Sequence, residues 1–449
     1  MRSIFLAVLA VCAATAASAQ EDPHVRALAA GYKAAFLCSG VFSAGRPEAE
    51  IAADDLEGIY PDYQALVRTL PASVDREKMT ASVAFDPKLP PRIAAWRPNL
   101  GCAQLPIGAG PEGVARLPRL EITRRPPLKA AWPDGDENAT GKTPKALAPL
   151  LAKAFTDYGG KTTAVLVVKD GRIVGEQYRP GYDLHTPQRT WSVAKSLTAS
   201  VIGRAVQLGN VKVDAPANIP EWQTSGDPRA AITLAQLMHM NSGLWTDGPG
   251  NRTDEVYVGG GVVTELATRM PLEAAPGSRF NYANNDTLLA QRAVRASLGD
   301  GQEALAFPFT ELFWRIGMNH TTPETDWQGN YILSSQVWTT SRDLARLGLL
   351  YLNDGVWNGE RLLPEGWSKF VATPAPAQPA RGAGYGAFFW LHGSGQGLPE
   401  GTYSMNGNRG QYVFIVPSKK VVIVRRGFDS AQARFDEVRF ARDVLSALE

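Results

Sequence analysis

The clearest hydrophobic patterning lies in the last two thirds of the chain. Residues 162–169 (Thr-Thr-Ala-Val-Leu-Val-Val-Lys) and 172–178 (Arg-Ile-Val-Gly-Glu-Gln-Tyr) are strand-like runs joined by Asp170-Gly171. Asp-Gly between two such runs is a strong hairpin signal, because both residues tolerate the positive φ of a tight turn. Gln411 to Val416 and Val421 to Arg425, bracketing Pro417-Ser418-Lys419-Lys420, predict a second hairpin. Helical spacing dominates elsewhere. Thr143 and Pro144 suit the start of a helix whose apolar face is Leu150, Leu151, Ala154 and Phe155, with Pro149 able to push the start later. Val193, Leu197, Val201 and Ala205 recur every four residues and predict a helix over about 192–208. An amphipathic helix follows over 342–351, and a closing helix over about 433–448. The order is helix, hairpin, long helical region (about 192–370), hairpin, helix. It predicts an α/β (α+β) fold with one central antiparallel sheet covered by the terminal helices, a separate helical lobe, and a cleft between lobe and sheet.

The N-terminal third is patterned differently. Residues 20–123 read as a small accessory region, with a helix over His24–Phe36 and short strands over Met79–Phe85 and Arg92–Trp96. Residues 124–144 contain Arg124-Arg125-Pro126-Pro127 and Trp132-Pro133-Asp134-Gly135-Asp136, turn-rich and polar, and read as a linker to a main domain at 145–449. Residues 1–19 have the form of a secretory signal: Arg2, an apolar stretch from Ile4 to Ala14, and Ala17-Ser18-Ala19 before Gln20. The apolar stretch is shorter than the ~20 residues needed to span a bilayer, and no later segment reads as a span. A periplasmic or secreted protein without stable membrane insertion is expected. Cys12 belongs to that leader, which leaves Cys38 and Cys102. An even pair in an oxidising compartment favours a disulfide, with two buried free thiols as the alternative.

Composition narrows the function. There are 46 Lys+Arg against 44 Asp+Glu, with no basic block, so nothing points to nucleic acid. At 44% hydrophobic and 20% charged the chain is not disordered. Five histidines (His24, His185, His239, His320, His392) are scattered, and no two have metal-ligand spacing on one helix or strand. No metal or cofactor is therefore expected.

Two short motifs carry candidate chemistry. Ser192-Val193-Ala194-Lys195 opens the predicted 192–208 helix, and three residues are nearly one turn, so Lys195 shares a face with Ser192. A lysine kept neutral by burial can take the serine proton, and helix N-terminal amides favour developing negative charge. Tyr282-Ala283-Asn284 follows the turn Pro276-Gly277-Ser278-Arg279-Phe280. A phenol beside a lysine can shuttle protons, and the asparagine can orient lysine or substrate. A second Tyr-x-Asn, at Tyr351-Leu352-Asn353, ends the amphipathic 342–351 helix and reads as structural.

In this order and 90 residues apart, the two motifs resemble the serine β-lactamase-related superfamily of class C β-lactamases, D-alanyl-D-alanine carboxypeptidases, related esterases and 6-aminohexanoate-dimer hydrolases. The stretch Thr233 to Leu244, ending in Ser242-Gly243-Leu244, agrees, and Ser341–Gly348 through Gly355-Val356-Trp357 is most similar to the 6-aminohexanoate-dimer hydrolase branch. The resemblance spans about 145–449. It implies a β-lactamase/transpeptidase-like fold and a serine hydrolase of small-molecule or short-peptide amides or esters, working through an acyl-enzyme. Ser192 would be the nucleophile, Lys195 and Tyr282 the proton carriers, and Asn284 the lysine's partner. The family's third motif, Lys or His then Ser, Thr or Gly then Gly, has its counterpart at Asn408-Arg409-Gly410, followed by Gln411. Arg409 there is either a substitute cation in the cleft or a surface side chain. The second oxyanion donor is expected from the strand after Gly410. The changed motif weighs against a β-lactamase or D-alanyl-D-alanine carboxypeptidase, which stay as the alternative enzymes; a non-catalytic binding module is the third reading. Tyr257 is a candidate substrate-side tyrosine. Tyr385, Phe388, Phe389 and Trp390 are either an acyl-binding wall or sheet core.

Overall fold

The computed structural model describes residues 22–123, 128–246 and 253–449. The expected signal segment and Arg124–Pro127 lie outside them. The helices that position the site are α1 (Pro23–Cys38), α2 (Leu147–Lys153), α3 (Val193–Gln207), α4 (Asn284–Leu298), α5 (Ser341–Leu352) and α6 (Glu437–Ala447). The main sheet has seven antiparallel strands: β1 (Thr162–Lys169), β2 (Arg172–Tyr178), β3 (Gly384–Tyr385), β4 (Trp390–His392), β5 (Thr402–Gly407), β6 (Gln411–Val416) and β7 (Val421–Gly427). Their spatial order is β3-β4-β5-β6-β7-β1-β2. Both expected hairpins are present, and β7 pairs with β1, which joins the two ends of the domain in one sheet.

Alternation along the strands separates two cores. Val165 and Val167 of β1, with Phe414, Val421 and Ile423, pack under Leu147 and Leu151 of α2 and Phe440, Val444 and Leu445 of α6. Leu166 and Val168, with Val413, Ile415, Val422 and Val424, face the opposite way onto the helical lobe. Burial on both faces explains why these strands read as continuous apolar runs rather than as an alternation of apolar and polar residues.

The N-terminal region contains four strands where the sequence suggests two. Ala72–Asp75, Thr80–Val83, Arg92–Arg97 and Gly101–Gln104 form an antiparallel meander against α1. The two outer strands are four residues each, too short to carry a pattern. Cys38, at the end of α1, is disulfide-bonded to Cys102 in the last strand. By length and composition Pro23–Ser43 could cross a membrane, which the sequence reading did not anticipate. Its apolarity has another use: Ala29, Ala30, Tyr32, Ala34 and Phe36 are all buried in a core continuous with that of the helical lobe. Residues 124–144 include two paired strands, Leu128–Ala131 and Gly135–Glu137. Arg346 of α5 donates to the carbonyls of Pro133 and Gly135, tying that stretch to the lobe.

Candidate active site

Ser192 is the N-cap residue of α3, so Lys195 lies one turn inside the helix. The turn before it is strained: Trp191 has φ +50°. A left-handed conformation at a bulky residue costs roughly 1–2 kcal/mol and persists only where packing imposes it. Here the Trp191 ring lies 5.8 Å from Phe36 of α1 and 4.1 Å below the Arg189 guanidinium. The accessory region therefore takes part in aiming the serine.

Lys195 is 1% exposed. Its Nζ donates to Ser192 Oγ at 3.1 Å, Asn284 Oδ1 at 2.6 Å and the Ser334 carbonyl at 3.0 Å. Burial lowers its pKa to about 7, while the three acceptors favour the ammonium, so both forms are accessible near neutrality. The Tyr282 ring centroid is 5.0 Å from Nζ. Burial raises the Tyr282 phenol above its ordinary value, and a hydrogen bond with Ser192 pulls the other way. Tyr282 is wedged between Trp390 at 5.4 Å and Tyr385 at 5.8 Å. Thus Ser192, Lys195, Tyr282 and Asn284 meet in one place.

The Ser242-Gly243-Leu244 segment holds the second motif in position. Ser242 Oγ donates to Asp286 Oδ1 at 2.8 Å in the first turn of α4, two residues past Asn284. The Asn281 amide donates to the Met240 carbonyl at 2.9 Å, just before Tyr282. Burial raises the Asp286 carboxyl to about 7, and Ser242 opposes that rise.

A cleft of about 670 Å³ opens above these groups, lined by Ser192, Tyr282, Asn284, Trp390, Asn406, Gly407 and Asn408 among others. Tyr257 also lines it. Its hydroxyl pairs with Ser334 Oγ at 2.5 Å, and the Ser334 carbonyl holds Lys195, so Tyr257 reaches the lysine through one residue. Of the four aromatics before the third motif, Trp390 faces the cleft, while Tyr385, Phe388 and Phe389 are core.

The third motif needs correction. The segment against the serine is Asn406-Gly407-Asn408 at the end of β5, two residues earlier than the sequence register places it. A Cβ on Gly407 would sit 3.2 Å from the Ser192 amide nitrogen and 2.3 Å from the Thr190 carbonyl. Only glycine allows that approach. Asn408 lines the cleft, but Arg409 turns away from it. The Arg409 guanidinium is buried and donates to the carbonyls of Asp55 at 2.8 Å, Asp54 at 2.9 Å, and Glu57. It fastens the accessory region to the turn beside the site and is neither a cleft cation nor a surface side chain. Gly410 has φ +80°, with the Arg425 guanidinium where a Cβ would go. Gln411 is 1% exposed and bonded to the Arg409 and Gly427 carbonyls and to Arg426. Both serve the local structure, and Gly407 at the end of β5, rather than Gly410, is the glycine that abuts the Ser192 amide. Tyr60, Trp191 and Arg381 also line the cleft and had no motif to announce them. Trp191 adjoins the serine, but Tyr60 comes from the accessory region, and only tertiary structure brings it there.

The fold also brings His185 and His320 together, rings 4.9 Å apart, with Asp136 beside them. Their separation of 135 residues hid the pair. They lie in a different pocket, and the guanidiniums of Arg342 and Arg346 already hold Asp136, at 3.3 and 2.8 Å.

The fold and the Ser–Lys–Tyr cluster define a serine β-lactamase-like protein. A profile of the Beta-lactamase family matches residues 147–426, and the chain belongs to that family. A 6-aminohexanoate-dimer hydrolase of Paenarthrobacter ureafaciens is 24% identical over 335 residues, 69% of this chain and 82% of that protein. Among solved structures, a Bacillus anthracis protein provisionally called a 6-aminohexanoate-dimer hydrolase aligns with TM-score 0.56 and 23% identity, over 66% of this chain and 81% of its own. A family VIII carboxylesterase aligns with TM-score 0.55 and 15% identity, over 69% and 98% respectively. At these identities the solved structures speak for the fold alone.

Proposed function

We propose that this chain is an exported serine hydrolase that cleaves an amide or ester bond of a small molecule or short peptide through an acyl-enzyme on Ser192. One observation carries the reading: Lys195 Nζ, buried and with its pKa near 7, sits 3.1 Å from Ser192 Oγ. In its neutral form Lys195 accepts the Ser192 proton, directly or through Tyr282, as Oγ attacks the carbonyl carbon. Asn284 keeps the amine aimed. The oxyanion is held by the Ser192 amide and by the backbone at Gly407–Asn408, donors of a kind worth about 3 kcal/mol each. Tyr282 or Lys195 returns the proton to the leaving amine or alcohol. Water then attacks the acyl-enzyme while the same groups take its proton and restore Ser192 Oγ–H. No step calls for a metal or cofactor. The aromatic walls, and the lack of Lys or His at Asn406-Gly407-Asn408, favour a small amide or ester over a β-lactam or a D-alanyl-D-alanine peptide.

The test is the intact mass of the protein after incubation with a p-nitrophenyl ester or benzylpenicillin, with Ser192→Ala alongside. A Ser192-dependent acyl adduct or turnover with the ester supports the reading. A Ser192-dependent benzylpenicillin adduct would move the substrate to β-lactams and cell-wall peptides. Wild-type turnover by Ser192→Ala would refute the mechanism, and inertness toward esters and serine-reactive phosphonates would point to a binding module.

A further inference from the structure

A second cavity, of about 330 Å³, opens beside the catalytic cleft between the accessory region and the main sheet. Tyr60, Trp191, Gly407, Asn408 and Tyr412 line both, so the two spaces meet next to Ser192. One wall belongs to the accessory region, with Tyr32 of α1 and the segment Gly58 to Pro61. The matched family region begins at residue 147, so this wall lies outside it.

Tyr32 lines the cavity and is 2% exposed, and its hydroxyl has no hydrogen-bond partner among the described residues. Buried hydroxyls are nearly always paired, because an unpaired one forfeits its hydration without return. Burial raises the Tyr32 phenol, so at neutral pH it is protonated and offers a donor. Arg409, the strongest charge acting on Tyr32, and Arg189 favour negative charge there, while Tyr60 and Asp55 oppose them. Arg434 lines the cavity as an exposed side chain with no ion pair among the described residues. Asp429 lines it too, but its carboxylate is taken up by Arg425 at 2.7 Å and by the amides of Lys161 and Phe435.

We propose that this cavity is a second substrate subsite, which takes an anionic, carboxylate-bearing arm of the amide or ester: the Tyr32 hydroxyl donates to an oxygen of that arm, and Arg434 supplies countercharge. The inference rests on the serine hydrolase reading and adds a substrate class to it. Fastened by Arg409 and shared walls, the accessory region becomes a specificity element.

Two carboxylate esters probe the two possible directions: mono-4-nitrophenyl adipate carries the charge on the acyl arm, and 4-acetoxybenzoate on the leaving group. Each is compared with its neutral counterpart, 4-nitrophenyl hexanoate or phenyl acetate. Wild type should prefer at least one carboxylate ester. Tyr32→Phe, which keeps the ring stacked on Phe36 at 4.5 Å, and Arg434→Gln should each reduce that preference about tenfold, through KM. No preference in wild type, or a preference unmoved in both variants, overturns the proposal. Ser192-dependent hydrolysis of the neutral esters tests the parent reading separately. If that fails, calorimetric binding of adipate monoanilide reads the subsite alone. Weakening of about tenfold by Tyr32→Phe supports the subsite, and no binding or an unchanged Kd overturns it.

Discussion

Replacing Lys195 by Met removes a charge that the fold takes almost wholly out of water. Burial lowers the lysine pKa from 10.5 to about 7. At about 1.36 kcal/mol per pH unit, the protonated form is penalised by about 5 kcal/mol in the folded chain relative to the unfolded one. Between these two pKa values the unfolded chain binds more protons, so wild-type stability rises with pH. The penalty is absent above about pH 10.5 and complete below about pH 7. In Lys195→Met this dependence disappears. The substitution also strips a donor from Asn284 Oδ1 and from the Ser334 carbonyl, a loss of roughly 1–3 kcal/mol each that does not vary with pH. The two effects separate cleanly. Measured by urea unfolding, the stability of Lys195→Met relative to wild type should improve by several kcal/mol, at most about 5, as pH falls from about 10 to about 6.5. Esterase activity should drop roughly 10²–10⁴-fold, the usual worth of a positioned base. Wild-type kcat/KM should fall off below about pH 7, where Lys195 becomes protonated. A stability difference that stays flat across this range would refute the reasoning, because the ammonium would then not be penalised in the fold.

Three further outcomes follow from the same geometry. Gly407→Ala should cost roughly 10²-fold in kcat and also lower the melting temperature, since its Cβ would collide with the Thr190 backbone carbonyl beside the Ser192 amide and force the strand end away; ester kinetics with a thermal melt decides this. Arg409→Met should destabilise the protein by about 3 kcal/mol, leaving the carbonyls of Asp54, Asp55 and Glu57 without their donor, and limited proteolysis should then cut first within the accessory region. Removing the Cys38–Cys102 bond by paired Ser substitution should cost about 4 kcal/mol, the chain-entropy value for its 64-residue separation, seen as a lower unfolding midpoint in urea.

The two hairpins and α3 were legible because each depends on neighbours in sequence. Asp170-Gly171 sets a turn, and a four-residue apolar recurrence sets a helix face. The Ser192–Lys195 pair was legible for the same reason: one helical turn brings them together whatever surrounds them. Tyr282 and Asn284 were found because the tripeptide follows a marked turn and matches a family pattern. The third motif failed because it offered two glycines three residues apart, Gly407 and Gly410, and local sequence does not say which lies at the strand end facing the serine. The structure chooses Gly407, since β5 abuts Thr190 and Ser192 there, whereas Gly410 answers to a buried arginine.

Sequence by itself determined the main-domain hairpins and helices, the Ser192–Lys195 pair and the family, all properties of short segments or of their order. Tertiary structure alone decided that Arg409 faces the accessory region, that Trp191 is held at φ +50° by a helix more than 150 residues away, and that Tyr32 and Tyr60 line spaces beside Ser192. These are contacts between distant segments. They arise because one continuous core joins α1 to the helical lobe, and apolar burial is non-directional: it dictates that surfaces meet, while the shape of the packed whole dictates which side chains face the cleft.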